Sequence, residues 1–229
     1  MYYYLSLRYH FIMGIIEIDH HALQIHLKST LFLYGNALSE IIRANMEDEI
    51  NTMWNEVRGI IWLNHEPYLL QFEVDVHLHQ NITPTDIAAN TNPQYNYFRI
   101  EDFAHGNISF VDGLGCNTGY FLSENLYINS TTAAHEYGHT LGLPHPEILD
   151  IRGQGIPGIM YPRGTIVDAI YQYDEKALPG AKGGTLYPIH RRVLQKDIDD
   201  LHIDAHIIRK NMVIGQFSSV YHAAHVPTV

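Results

Sequence analysis

A chain of 229 residues carries 14 basic against 25 acidic side chains, a formal charge of −11, and 46% hydrophobic residues. That length and apolar content suit one globular domain with a sizeable core. The acidic balance argues against a nucleic-acid partner, which needs a basic face to displace counterions, and one cysteine, Cys116, excludes a disulfide framework or a cysteine-rich zinc module.

The opening stretch MYYYLSLRYHFIMG holds Arg8 and His10 inside its apolar part and lacks a small-residue cleavage site. It does not read as a secretory leader, so the protein is expected to be cytoplasmic or to have lost a leader already. Its longest apolar runs, such as FIMGII at 11–16, are too short to cross a bilayer, and no membrane partner is expected.

Residues 15–35 read as two β segments joined around Asp19–His21. Leu38, Ile42, Met46, Ile50, Met53, Val57 and Ile61 then recur at three- and four-residue steps. That stripe predicts a long amphipathic helix over 36–61, capped by Asn36. In LQFEVDVHLHQ (70–80), Leu70, Phe72, Val74, Val76 and Leu78 alternate with polar residues, as in a half-buried strand. Residues 81–119 are rich in turn formers, with short β candidates near 97–100 and 108–111, and 120–129 reads as a strand running into the next segment. Gly and Pro dominate 147–190, which should be mostly irregular. Leu194, Ile198 and Leu201 mark a second helix, and MVIGQFSSVYH (212–222) contains a candidate last strand.

The chemistry lies in HEYGHTLGLPHP, residues 135–146. Ser130, Thr131 or Thr132 can cap a helix here, and on it His135 and His139 stand one above the other on a single face. Two imidazoles so placed can bind one zinc ion, with Glu136 positioned to handle the attacking water rather than to ligate. Gly142 suits the left-handed residue that ends a helix, and Pro144 forbids its continuation. The forced turn can return His145 as third ligand, and three neutral imidazoles with an open position describe a catalytic zinc rather than a structural one. Although the chain holds 16 histidines, the full spacing H-E-x-x-H-x-x-G-x-x-H arises by accident in roughly 3 of 10,000 shuffled chains of this composition.

His135, Glu136, His139, Gly142 and His145 resemble the motif of the metzincin clan of zinc endopeptidases. GIMYPRG (158–164) is similar to the clan's Met-turn, with Met160 fifteen residues after His145. IMYP resembles the matrixin branch most, since astacins and serralysins place a tyrosine two positions after the methionine, where this chain has Pro162. LQKDIDDL (194–201) is similar to the helix that closes the matrixin domain. The chain departs from matrixins in its longer His145–Met160 spacing, in Pro146 after the third histidine, and in lacking an inhibitory cysteine motif.

The resemblance implies an α+β fold in one catalytic domain, with an N-terminal lobe over 1–142 and a C-terminal lobe over 143–229. The upper lobe would hold a twisted, mixed but mostly parallel sheet of about five strands, a long backing helix and the zinc helix. The resemblance further implies cleavage of a protein or peptide substrate by zinc-activated water, with Glu136 as general base and then acid, and a secreted or extracytoplasmic location. The substrate would lie extended against an edge strand around Gly115–Phe121, Tyr120 included, with Ile159, Tyr161 and Pro162 walling a pocket. A zinc module that binds peptides without cutting them, and a hydrolase of non-peptide amides, are the alternatives. Retention of Glu136 argues against the first. Calcium or a second, structural zinc finds little support: Asp112 beside glycines reads as a turn, and His77, His79, His105 and His20–His21 as solvated histidines. Cys116 reads as an ordinary thiol.

Overall fold

Period-two alternation sets the frame of the molecule. In the computed structural model, which describes residues 13–204, 213–214 and 216–227, the first expected β pair is a hairpin of β1 (Gly14–Asp19) and β2 (Gln24–Tyr34). Asp19 closes its turn by accepting from the backbone amides of His21 (2.8 Å) and Ala22 (2.9 Å). The long strand β4 (Glu66–Leu78) buries Tyr68, Leu70, Phe72, Val74 and Val76 and runs parallel to β2. On the other side of β2 comes β5 (Tyr95–Glu101), parallel to β2, then β7 (Thr118–Leu122), parallel to β5, and both are buried on both faces. Antiparallel strands β3 (Ile60–Leu63) and β6 (Phe110–Val111) finish the two edges, and β8 (Val213–Ile214) adds to β1.

The molecule is thus α+β with a mixed sheet, as expected, but the sheet has eight strands among the described residues rather than five and is not mostly parallel. The three parallel pairings make the centre, and four antiparallel ones extend it. The apolar stripe had assigned part of one edge to the helix. Helix α1 spans Glu40–Glu56, not 36–61, and its N-cap is Ser39, whose Oγ accepts from the amide of Ile42 at 3.1 Å. Arg58 at φ +51 turns the chain, and Ile61, the last stripe residue, enters β3. The expected strand over 120–129 likewise stops at Leu122, where Ser123–Asn125 wind into a single 3₁₀ turn.

Helix α1 also completes the sheet. Asn51 exchanges two hydrogen bonds with the backbone of Val74 (2.8 and 3.0 Å), and Asn55 does the same with Phe72 (2.9 and 2.8 Å). Two amide side chains therefore do for the open edge of β4 what a further strand would do. A short helix α2 (Pro84–Ala88) carries a Thr83–Asp86 capping box. Helix α3 (Thr132–Thr140) packs beside α1, and the expected late helix is α4 (Gln195–Asp200). Between them, 147–190 forms turns and two single-turn 3₁₀ segments, with a small core of Ile151, Val167 and Leu186. One larger core joins strands, α1, α3, Met160 and Ile198.

The calls on residues 1–12 lie outside the described residues, as does part of the candidate last strand. No helix among the described residues is long and apolar enough to cross a membrane. The tail from Gln216 runs back over the sheet, where the amide of Gln216 donates to Gly115 (3.0 Å) and that of His225 to the Tyr120 hydroxyl (3.1 Å).

Candidate metal centre

Helix α3 is held from below at both ends. Its N-cap, Thr131, sits at φ +57, and its side chain makes no capping bond. The cap comes instead from Glu49 on α1, whose carboxylate accepts from the amides of Thr131 and Ala134, both at 3.1 Å. A carboxylate at a helix N-terminus satisfies orphan donors and opposes the positive end of the dipole. Burial nonetheless pushes the Glu49 carboxyl up, against the pull of these amides and of Arg191. One turn on, Trp54 Nε1 donates to the carbonyl of Ala134 (3.1 Å), and the Tyr137 hydroxyl meets Ser29 Oγ at 2.9 Å.

The helix stops as its sequence requires. Gly142 adopts φ +92, and Leu143 closes the turn by donating to the Gly138 carbonyl at 3.0 Å. Pro144 follows, and His145 comes back over the helix. Gly142→Ala is expected to cost about 1–2 kcal/mol, because an L side chain is strained at that φ. Thermal denaturation checks this, and a variant as stable as the parent would show that the return does not depend on the left-handed residue.

Three histidines meet at this point. His145 Nε2 lies 3.0 Å from His135 Nε2 and 3.1 Å from His139 Nε2. On the far side of each helical ring, His135 Nδ1 is 2.7 Å from the carbonyl of Ile159, and His139 Nδ1 is 2.8 Å from that of Leu143. A carbonyl only accepts, so both Nδ1 atoms carry the proton, and both Nε2 atoms turn bare lone pairs toward the centre. Burial also favours the neutral rings. It holds His135 well below the usual imidazole range and His139 down to about 4. His145 is lowered by burial and by Arg191.

Lone pairs that converge in this way could hold a cation. Tetrahedral zinc with Zn–N bonds near 2.0–2.1 Å would space its nitrogens about 3.3–3.4 Å apart, close to the separations found. Among the described residues this is the one group of three or more potential ligands drawn together. An all-imidazole donor set suits zinc and the other imidazole-binding divalent metals. Beside it Glu136 is 6% exposed, its Oε2 has no partner among the described residues, and burial raises its carboxyl to about 8 despite Arg191. A buried carboxylate oxygen without a donor, next to a cluster of bare nitrogens, fits a centre completed by a metal and its water.

Met160 lies beneath α3, 3% exposed, with its thioether against Gly138. A Cβ at Gly138 would meet Met160 Cε at 3.1 Å and Trp54 Cζ2 at 3.3 Å. Ile159 is buried and supplies the carbonyl that fixes His135. Pro162 lines a cavity of about 280 Å³ shared with His135, Glu136 and His145. Tyr161 lines a second, of about 410 Å³, with His145 and Met160.

Gly115 and Tyr120 are placed differently from expectation. Tyr120 is fully buried, with its hydroxyl on the Phe103 carbonyl, in an interior strand paired on both sides. Gly115 donates to the His139 carbonyl (2.8 Å) and accepts from Gln216 (3.0 Å). The outermost strand on this side is β6, and Asn107–Ser109 just before it line the cavity that holds Glu136.

Glu49, Trp54, Arg163 and Arg191 are the site residues that the sequence did not disclose. Only Trp54 carried a signal, since it follows Met46 and Ile50 at four-residue spacing. Asp112, the candidate calcium ligand, is bonded by Thr118 and lies 2.9 Å from His222 Nε2. No protein-family model and no curated protein sequence matches the chain.

Proposed function

We propose that the chain is a zinc endopeptidase of the metzincin clan, nearest its matrixin branch. One observation carries this reading: the Nε2 atoms of His135, His139 and His145 converge within 4.8 Å of one another, beside a buried Glu136 whose Oε2 is unpaired. The fold supports it by seating the site between a helix end, a methionine-bearing turn and an edge strand.

His135, His139 and His145 would hold the metal. When bound, zinc supplies Lewis-acid polarisation of the scissile carbonyl and makes water acidic enough to attack near neutral pH. The chain's own work is positional and protolytic. Ile159 and Leu143 fix the tautomers that aim two Nε2 atoms inward. Among the described residues, Glu136 is the one carboxylate lining the cavity of about 280 Å³ with His135 and His145, and its Oε2 takes the proton of the attacking water and delivers it to the leaving amine. An extended peptide would pair with the free edge at β6.

The test is metal analysis followed by cleavage of casein, before and after dialysis against a chelator. Zinc at about one equivalent, activity lost on chelation and regained on adding zinc, is the expected result. A zinc-loaded protein that cuts neither casein nor a broad peptide library would sink the proposal.

A further inference from the structure

The cavity of about 280 Å³ that contains Glu136 is walled on its other side by Arg163 and Arg191. Arg191 is 3% exposed, and hydrogen bonds fix the guanidinium on two sides. Nε donates to Thr131 Oγ1 (2.9 Å) and Nη1 to the Tyr161 carbonyl (3.2 Å). Nη2 makes no hydrogen bond within the described residues, nor is it among the buried unpartnered atoms, so it opens onto the cavity. Arg163 stands exposed at the rim, and its one bond is a 3.3 Å contact from Nη2 to Asn125 Oδ1.

Neither arginine has a carboxylate within 4.0 Å among the described residues, whereas Lys28, Arg43, Arg99, Arg152 and Lys196 each do. Arg191 therefore feels only the longer-range pull of Glu49 and Glu136, with no carboxylate paired directly to its guanidinium. A buried guanidinium is costly unless something meets it. Its planar fork matches a carboxylate, and the bond is charge-assisted.

We propose that this cavity binds a carboxylate of the peptide substrate beside the bond to be cut, with Arg191 as its anchor and Arg163 as its outer contact. This rests on the peptidase reading of the neighbouring centre. The carboxylate can belong to an acidic side chain or to a chain terminus, and both present the same two oxygens. Burial and the nearby Arg163 pull Arg191 down to about 10 against the opposing pull of Glu136 and Glu49, which leaves it charged at neutral pH.

The experiment uses the full chain carrying Glu136→Gln, loaded with zinc so that nothing turns over. The probes are alanine-based hexapeptides with one central glutamate or glutamine, each with a free or amidated C-terminus, titrated by calorimetry. The glutamate peptide should bind about tenfold or more tightly than its twin, as expected for one hydrogen bond between charged partners. Arg163→Gln, at an exposed position, should shrink that ratio several-fold without moving the melting temperature. If instead the glutamate and glutamine twins bind alike but both weaken about tenfold on amidation, the source is the chain end and the carboxylate site stands. Equal binding of all four peptides, or an unchanged ratio in Arg163→Gln, overturns the proposal. Casein cleavage by the parent separates the two readings. Cleavage with equal binding removes the carboxylate site alone, while acid-selective binding without any cleavage removes the peptidase alone.

Discussion

Glu136→Gln should leave zinc content unchanged and lower peptide-bond cleavage by about 100- to 10,000-fold, the range that a positioned general base supplies. The amide keeps the carboxylate's shape in a pocket where the side chain is 6% exposed. It removes a group whose charged form burial already disfavours, so the variant should melt at or above the parent's temperature. Lost turnover then cannot be blamed on unfolding. The imidazoles of His135 and His139 are fixed by backbone carbonyls and by the helix rather than by Glu136, which is why the metal should stay. Rates with a fluorogenic peptide, together with metal analysis, decide the matter. A variant within threefold of the parent would remove Glu136 from the mechanism.

Trp54→Ala should cost about 3–5 kcal/mol, the usual penalty for emptying a large aromatic site, out of the roughly 5–15 kcal/mol that hold such a domain together. The indole is fully buried, with its ring centre 5.1 Å from that of Phe72 and 5.9 Å from that of Tyr137. Its Nε1 holds the carbonyl of Ala134, the residue before the first ligand. Removing it creates a void directly under α3 and frees the helix to shift. Urea melts with chelator present, so that bound metal does not mask the loss, give the number. A difference below 1 kcal/mol would mean that the helix is not seated on this side chain.

What could be read beforehand follows the range of the forces involved. Local periodicity disclosed β1, β2, β4 and α4 because each buries one face at a fixed step. It failed at 57–63, where Val57 and Ile61 keep the helical step although Arg58 and Gly59 turn the chain into β3. The stripe continues although Gly59, Ile60, Ile61 and Trp62 disfavour a helix, and the pairing of Ile60–Leu63 with Glu66–Leu69 decides. The three-histidine cluster was legible because its geometry is encoded within eleven residues. Glu49, Arg191 and the edge at β6 were not, because each reaches the site across 50 or more residues or through sheet order. The segment around Gly115–Phe121, expected at a sheet edge, runs into an interior strand for a related reason: a glycine-rich turn announces a strand but does not say whether that strand lies at the edge.

The hydrogen bond from His135 to the Ile159 carbonyl also bears on the unusual fifteen-residue spacing between His145 and Met160. Both ends of that stretch are pinned, one by the histidine cluster and the other by a ring nitrogen and a buried thioether. Between them Ile151 is tied to Ile166 and buried in the small core, and the carbonyl of Pro157 accepts from Arg192, so only the exposed residues 152–156 simply leave and return. Lengthening such an excursion costs little, since closure entropy grows with the logarithm of loop length, at about 0.6 kcal/mol per doubling. Residues can accordingly be inserted or removed at 152–156 while the two anchors stay in place, so the count separating them is a trait of the outer surface, free to vary where the centre is not.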